Sequence, residues 1–175
     1  MNKLRNFFEF VKEPLLAVLS ALLITQFLFM HTRVPTGSMI PTINEGDHLV
    51  VNRIPAYYRA PNAGEVIVFN EGGDKLIKRV IAQPEDVIDL KDGIVFINGE
   101  VLDESAYIRE LDSTYEFVDS SVRFPYTVPE DHYFVMGDNR KNSLDSRYFG
   151  PVLKDEIIAI GAFKVYPFRD IGVLK

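Results

Sequence analysis

The chain contains no cysteine. That one absence excludes a thiol nucleophile, a disulfide framework and thiolate metal sites together. Histidine is nearly as scarce: His31, His48 and His132 are scattered without ligand spacing, so neither a metal nor a cofactor is expected. No internal repeat or low-complexity segment is present. Positive charge is in deficit, with 19 Lys and Arg against 25 Asp and Glu. The five charges ahead of residue 14, Lys3, Arg5, Glu9, Lys12 and Glu13, sum to one positive, so the remainder holds more than the whole net charge of −6. Such an acidic body is not a nucleic-acid binder.

Long apolar runs are also rare, and there is a single one. Pro14 to Met30 carries only Ser20, Thr25 and Gln26 as polar residues, with charge stopping at Glu13 and resuming at Arg33. A spanning helix needs about 17–25 residues, so 14–31 is expected to be a transmembrane anchor. The competing reading, a cleavable leader, requires a small-x-small site after the run; here it ends in the bulky Phe27-Leu28-Phe29-Met30-His31. Lys3, Arg5 and Lys12 place residues 1–13 in the cytoplasm and residues 32–175 outside, as a single-pass protein of the cell membrane whose partners include the lipid bilayer. With 175 residues, one exported domain is the expected count.

Beyond His48 the chain consists of short β-branched runs bounded by turn residues, the pattern of a mainly β, antiparallel domain. Strands are expected at 48–53, 66–70, 76–82, 87–90, 94–97, 133–136 and 157–167. Asp92-Gly93 and Asn98-Gly99 are hairpin turn pairs. Residues 103–131 are more polar and less periodic and read as an insertion or long excursion. Pro55 to Gly64 reads as a surface loop, with Tyr57 and Tyr58 available to the headgroup layer.

Ser38 lies a few residues after the apolar run, in Pro35-Thr36-Gly37-Ser38-Met39-Ile40-Pro41-Thr42. A serine becomes a nucleophile only beside a base, and none of the histidines is well placed. Lys78 is the alternative. In Leu76-Ile77-Lys78-Arg79-Val80-Ile81-Ala82, strict alternation puts it on one strand face with Leu76, Val80 and Ala82. A lysine in a strand is ordinarily a surface residue with its stem laid on apolar neighbours. To be neutral near pH 7 its pKa must fall by roughly 2–3 units, which burial can supply.

Three separated segments carry a resemblance. Gly37-Ser38-Met39-Ile40-Pro41-Thr42, Lys78-Arg79-Val80-Ile81-Ala82, and Gly137-Asp138-Asn139-Arg140-Lys141-Asn142-Ser143-Leu144-Asp145-Ser146-Arg147-Tyr148-Phe149-Gly150 follow in order behind the apolar run. Together with Gly46-Asp47-His48-Leu49-Val50-Val51-Asn52-Arg53 they resemble the type I signal peptidases, in the short form found in Gram-positive bacteria. Gln83-Pro84-Glu85-Asp86 departs from the family, which often has a glycine before the final aspartate, and Lys141 stands at a variable position.

The resemblance implies a membrane-bound serine endopeptidase that removes signal peptides from exported preproteins after a small-x-small (Ala-x-Ala) site, using a Ser/Lys dyad. Ser38 takes the nucleophile position and Lys78 that of the general base. The Ser38 N–H and the Thr36 hydroxyl become oxyanion donors, and Ser143 a hydrogen-bond partner of the lysine. Arg79, Asp138, Asp145 and Arg147 become supports, with Asp145 and Arg147 paired to each other or to Arg79. Proximity in sequence offers Pro35, Ile40 and Val80 as lining for shallow substrate pockets. Two alternatives share the dyad or the fold: a self-cleaving repressor-type protease, which would need a DNA-binding head where this chain has an apolar run, and a catalytically silent membrane-anchored binding protein.

Overall fold

A computed structural model describes the backbone of residues 2–174 and their side chains except at 2–8, 23, 24 and 26. The side chains of Lys3 and Arg5, used above for orientation, thus lie outside the described residues, as do three positions of the expected anchor. Among the described residues a helix α1, Asn2–Leu28, with Pro14 inside it, leads into thirteen strands. These are β1 Phe29–Arg33, β2 His48–Asn52, β3 Val66–Glu71, β4 Asp74–Ala82, β5 Val87–Lys91, β6 Ile94–Ile97 and β7 Glu100–Val101. There follow β8 Tyr126–Thr127, β9 His132–Met136, β10 Val152–Leu153, β11 Ile157–Ile160, β12 Ala162–Tyr166 and β13 Gly172–Leu174, with a short helix α2 at Ser146–Phe149. Among the described residues no helix is long and apolar enough to cross a membrane.

The helix stops at Leu28, short of the expected His31, because Phe29–Arg33 pair with β2 and Met30 packs against the core. The strands form three sheets in the orders β1-β2-β12-β13, β10-β9-β4-β3-β11 and β7-β6-β5-β8, every pairing antiparallel. The Asp92-Gly93 and Asn98-Gly99 pairs do make tight turns, with φ of 51° and 82° and of 53° and 85°. Gly93 is required twice over, since a Cβ there would also stand 2.1 Å from the carbonyl oxygen of Asp112 in the 103–131 excursion.

Alternation along β3 explains how one strand serves two cores. Val66 and Val68 face a first cluster with Val34, Met39, Ile43, Leu49 and Val51. Ile67 and Phe69 face a second, with Val80, Tyr133 and Val135. A third cluster, with Ile81, Ile88, Val95 and Phe134, lies where the excursion's Val122 joins β4 and β5. The centre of the middle sheet is therefore covered on both faces, and β4 with it from Lys78 to Ala82. Leu76 and Val80 share the second cluster as alternation predicts, but the register shifts between Val80 and Ala82. Ala82 consequently packs with Ile81 in the third cluster and not with Leu76.

Candidate active site

Ser38 is presented by a turn between two anchors. Val34 and Met39 are both drawn into the first core cluster, and burying a side chain such as Met39 contributes about 1.5–3 kcal/mol. Inside the turn the Ile40 N–H donates to the Gly37 carbonyl at 3.2 Å and the Ile43 N–H to the Met39 carbonyl at 2.8 Å. From the opposite side the Asn139 N–H donates to the Ser38 carbonyl at 3.0 Å, and the Asn139 side chain to the Gly37 carbonyl at 3.0 Å. The Ser38 N–H makes no backbone hydrogen bond and the Thr36 hydroxyl has no partner among the described residues.

Lys78 enters this turn from β4. Its Nζ donates to Ser38 Oγ at 2.7 Å across 40 residues of sequence. Lys78 is 3% exposed and Ser38 7%. Burial pushes the Lys78 ammonium from its ordinary 10.5 down to about 8, while the Asp145 and Asp138 carboxylates resist the shift. An amine of that pKa is substantially neutral in mildly alkaline solution, and a neutral amine at hydrogen-bond distance can accept a hydroxyl proton. None of the histidines joins the pair: His31 bonds His48, and His132 bonds the Glu130 carbonyl.

The next residue, Arg79, is held by a two-pronged ion pair, Nε to Asp138 Oδ1 at 2.9 Å and Nη2 to Oδ2 at 2.8 Å. Asp138 also accepts from the Thr42 hydroxyl at 2.5 Å, which ties the serine segment to β4. Asp145 pairs with Arg147 and not with Arg79, through Nε to Oδ1 and Nη2 to Oδ2, both at 2.9 Å. Asp145 further accepts the Gly137 N–H at 3.0 Å. Ser143 Oγ is buried beside Gly137 but has no hydrogen-bond partner, so the bond to Lys78 implied by the resemblance is not formed. A Cβ on Gly137 would stand 2.3 Å from Ser143 Oγ and 2.4 Å from the Ser38 carbonyl oxygen, so only glycine lets the two segments meet.

Of the residues offered as pocket lining, Pro35 is exposed and Ile40 half-buried. Val80 is 0% exposed within the second core cluster, packed against β9, and presents no surface to a substrate.

Sequence reasoning missed several supports. Glu104, in the polar excursion, is buried and takes two hydrogen bonds from Arg140, at 2.9 and 2.5 Å. Thr114 accepts from Arg140 at 2.7 Å, and the Tyr107 ring lies 4.3 Å from the Arg79 guanidinium carbon. Burial, with Glu104 close by, pushes the Tyr107 phenol upward. On the other side of the serine turn a second buried lysine, Lys164, pairs with Asp47 at 2.6 Å and donates to the Thr42 carbonyl at 3.1 Å. Nothing local in 103–131 marks Glu104 among its many carboxylates. Thr42, Asp47 and Asn139, by contrast, all sit inside the quoted motifs.

The family model described as signal peptidase, peptidase S26, matches residues 7–166. With the β-sheet fold it defines a serine peptidase, a hydrolase of peptide bonds. Signal peptidase I T of Bacillus subtilis strain 168 is 35% identical over 99% of this chain and 93% of its own length, and signal peptidase I of Bacillus licheniformis 36% over 97% and 94%. A crystal structure of a signal peptidase I from Enterococcus faecalis V583 aligns with a TM-score of 0.50 at 33% identity, covering 58% of this chain and 97% of that one. The chain belongs to the signal peptidase I family.

Proposed function

We propose that this chain is a membrane-bound endopeptidase that removes N-terminal signal peptides from exported preproteins, with Ser38 as nucleophile and Lys78 as general base. The observation that carries the reading is the 2.7 Å contact between Lys78 Nζ and Ser38 Oγ, made by a buried amine whose pKa burial lowers to about 8. Ser38 Oγ attacks the scissile carbonyl carbon while Lys78 takes its proton. The same proton goes to the leaving amine as the C–N bond breaks, and water then hydrolyses the serine ester by the reverse use of Lys78. The unengaged Ser38 N–H and Thr36 hydroxyl are the oxyanion donors in this scheme. Arg79 and Asp138 tie β4 to the serine segment, Asp145 and Arg147 hold the Gly137 loop, Ser143 packs against Gly137, and none of the five performs chemistry.

An extended substrate adds along the open edge of β1, which runs directly into the Ser38 turn. Pro35 and Ile40 border that path, and shallow pockets there accept small side chains, giving cleavage after Ala-x-Ala. The anchor expected at 14–31, of which residues 14–28 lie in α1, serves as a single-pass span with the N-terminus in the cytoplasm, a reading that rests on the sequence. The anchor holds the site at the depth where preproteins emerge and raises effective concentration.

The test is cleavage of a preprotein bearing an Ala-x-Ala site by detergent-solubilised protein, with the new N-terminus identified by mass. Loss in both Ser38→Ala and Lys78→Ala, with wild type cutting after the second alanine, is the expected result. Undiminished cleavage by either variant rejects the dyad.

A further inference from the structure

Arg53 is a cation without an anion. Its Nε is buried and unbonded, and its guanidinium makes no ion pair or hydrogen bond among the described residues. A half-buried guanidinium whose Nε is cut off from both water and protein acceptors is costly unless something supplies the acceptor. Two carbonyls at the end of α1 accept other donors. The Leu28 oxygen accepts the Arg53 backbone N–H at 3.0 Å, and the Phe27 oxygen accepts the Tyr57 hydroxyl at 3.3 Å.

Arg53 faces a cavity of about 480 Å³ between the end of α1 and the β1–β2 pair, lined also by Thr25, Phe29, Met30, His31 and Val50. Among the described residues no carboxylate lines it. Thr25 turns its hydroxyl back to the Ala21 and Leu22 carbonyls, so it does not supply the missing acceptor. The His31 ring is held in place by the 3.1 Å contact of its Nε2 with His48 Nδ1. The cavity thus combines one forked cation, one imidazole and an apolar wall of Phe29, Met30 and Val50, in a protein whose net charge is −6.

We propose that this cavity binds the phosphate of an anionic phospholipid headgroup, with Arg53 as the principal donor. A guanidinium presents paired N–H groups that match phosphate oxygens. The apolar wall suits the start of an acyl chain and would be wasted on free phosphate. A zwitterionic headgroup would bring a second cation beside Arg53 where no carboxylate waits to receive it. The assignment rests on the anchor reading above, under which the end of α1 lies at headgroup depth.

The test is native mass spectrometry of the full chain in non-ionic detergent, titrated with phosphatidylglycerol or phosphatidylcholine. One retained phosphatidylglycerol with about tenfold preference over phosphatidylcholine is expected. Arg53→Gln should erase the preference, and Phe29→Glu, which offers the guanidinium an internal carboxylate, should do the same through a different residue. Thermal unfolding of each variant verifies folding. Equal retention of the two lipids by wild type, or undiminished preference in both folded variants, overturns the proposal. Displacement of phosphatidylglycerol by inorganic phosphate as readily as by a short-chain phosphatidylglycerol overturns the lipid assignment. Alkaline carbonate extraction from vesicles reads the anchor separately. Wild type that washes out while the detergent titration still discriminates rejects the anchor, and the reverse pattern rejects the site.

Discussion

Lys78 donates to a neutral hydroxyl while Arg79, the next residue of β4, donates to a carboxylate. Neighbouring cations in one buried strand are thus given opposite surroundings. Arg79 receives a two-pronged counter-charge at 2.8–2.9 Å, and Lys78 is left to desolvation, which lowers its pKa. Exchanging the two roles is not possible by side-chain rotation, because adjacent strand residues point to opposite faces.

Activity should therefore rise with pH through an apparent pKa near 8, the value to which burial brings Lys78. The neutral amine is the working form, so turnover falls below that pH and levels off above it. A kcat/KM profile on a peptide substrate checks this; a profile flat from mildly acidic to alkaline pH contradicts the role of Lys78.

The same shift predicts a stability effect. Lys78 is lowered from 10.5 to about 8 in the folded chain, so between those values the unfolded state binds more protons and stability rises with pH. Below pH 8 the buried ammonium costs up to roughly 3 kcal/mol, at about 1.4 kcal/mol per unit. Lys78→Met should be more stable than wild type at pH 7, with the advantage shrinking from pH 8 to 10.5. Urea unfolding at several pH values measures it.

Asp138→Ala leaves the Arg79 guanidinium buried without its carboxylate. Removing one partner of such a pair destabilises by about 3–5 kcal/mol. The double variant Asp138→Leu with Arg79→Met should recover a large part of the loss in the same denaturation assay, because the buried guanidinium is then removed together with its counter-charge.

Gly137→Ala should fold and lose activity. The new Cβ would stand 2.4 Å from the Ser38 carbonyl oxygen and 2.3 Å from Ser143 Oγ, so the serine turn must shift. A displacement of about 1 Å at a reacting group costs on the order of 10²-fold in rate. Steady-state kinetics beside a circular dichroism spectrum separates this from unfolding.

Thr36→Val removes an exposed hydroxyl that has no partner among the described residues and should leave stability unchanged. As an oxyanion donor its loss should lower kcat by roughly 10²–10³-fold with little change in KM. An unchanged kcat would assign Thr36 to the turn alone.

The β-rich class and the strands at 66–70, 87–90 and 94–97 were legible because their apolar runs are bounded by turn residues such as Asp92-Gly93. The strands at 29–33 and 172–174 were not. Phe29 and Met30 continue the apolar run without a break, and only the pairing of Phe29–Arg33 with β2 ends the helix at Leu28. Alternation placed Leu76 and Val80 together, but the irregularity after Val80 has no signature in Leu76–Ala82. Val80 was legible as apolar and near Lys78, yet whether it faces a substrate or a second sheet depends on β9.

By itself the sequence determined what chemistry was available: without cysteine and with three scattered histidines, a serine and a lysine in family motifs were the remaining pair. It also determined the anchor reading, through the uncharged run 14–30. The tertiary structure decided what those groups experience. Lys78 loses its proton more readily only because sheets from distant parts of the chain exclude water from it. Arg140 finds Glu104 36 residues earlier, Asp47 finds Lys164 far along the chain, and Arg53 finds no carboxylate among the described residues. Desolvation and counter-charge depend on what packs around a group in space, and local sequence specifies neither.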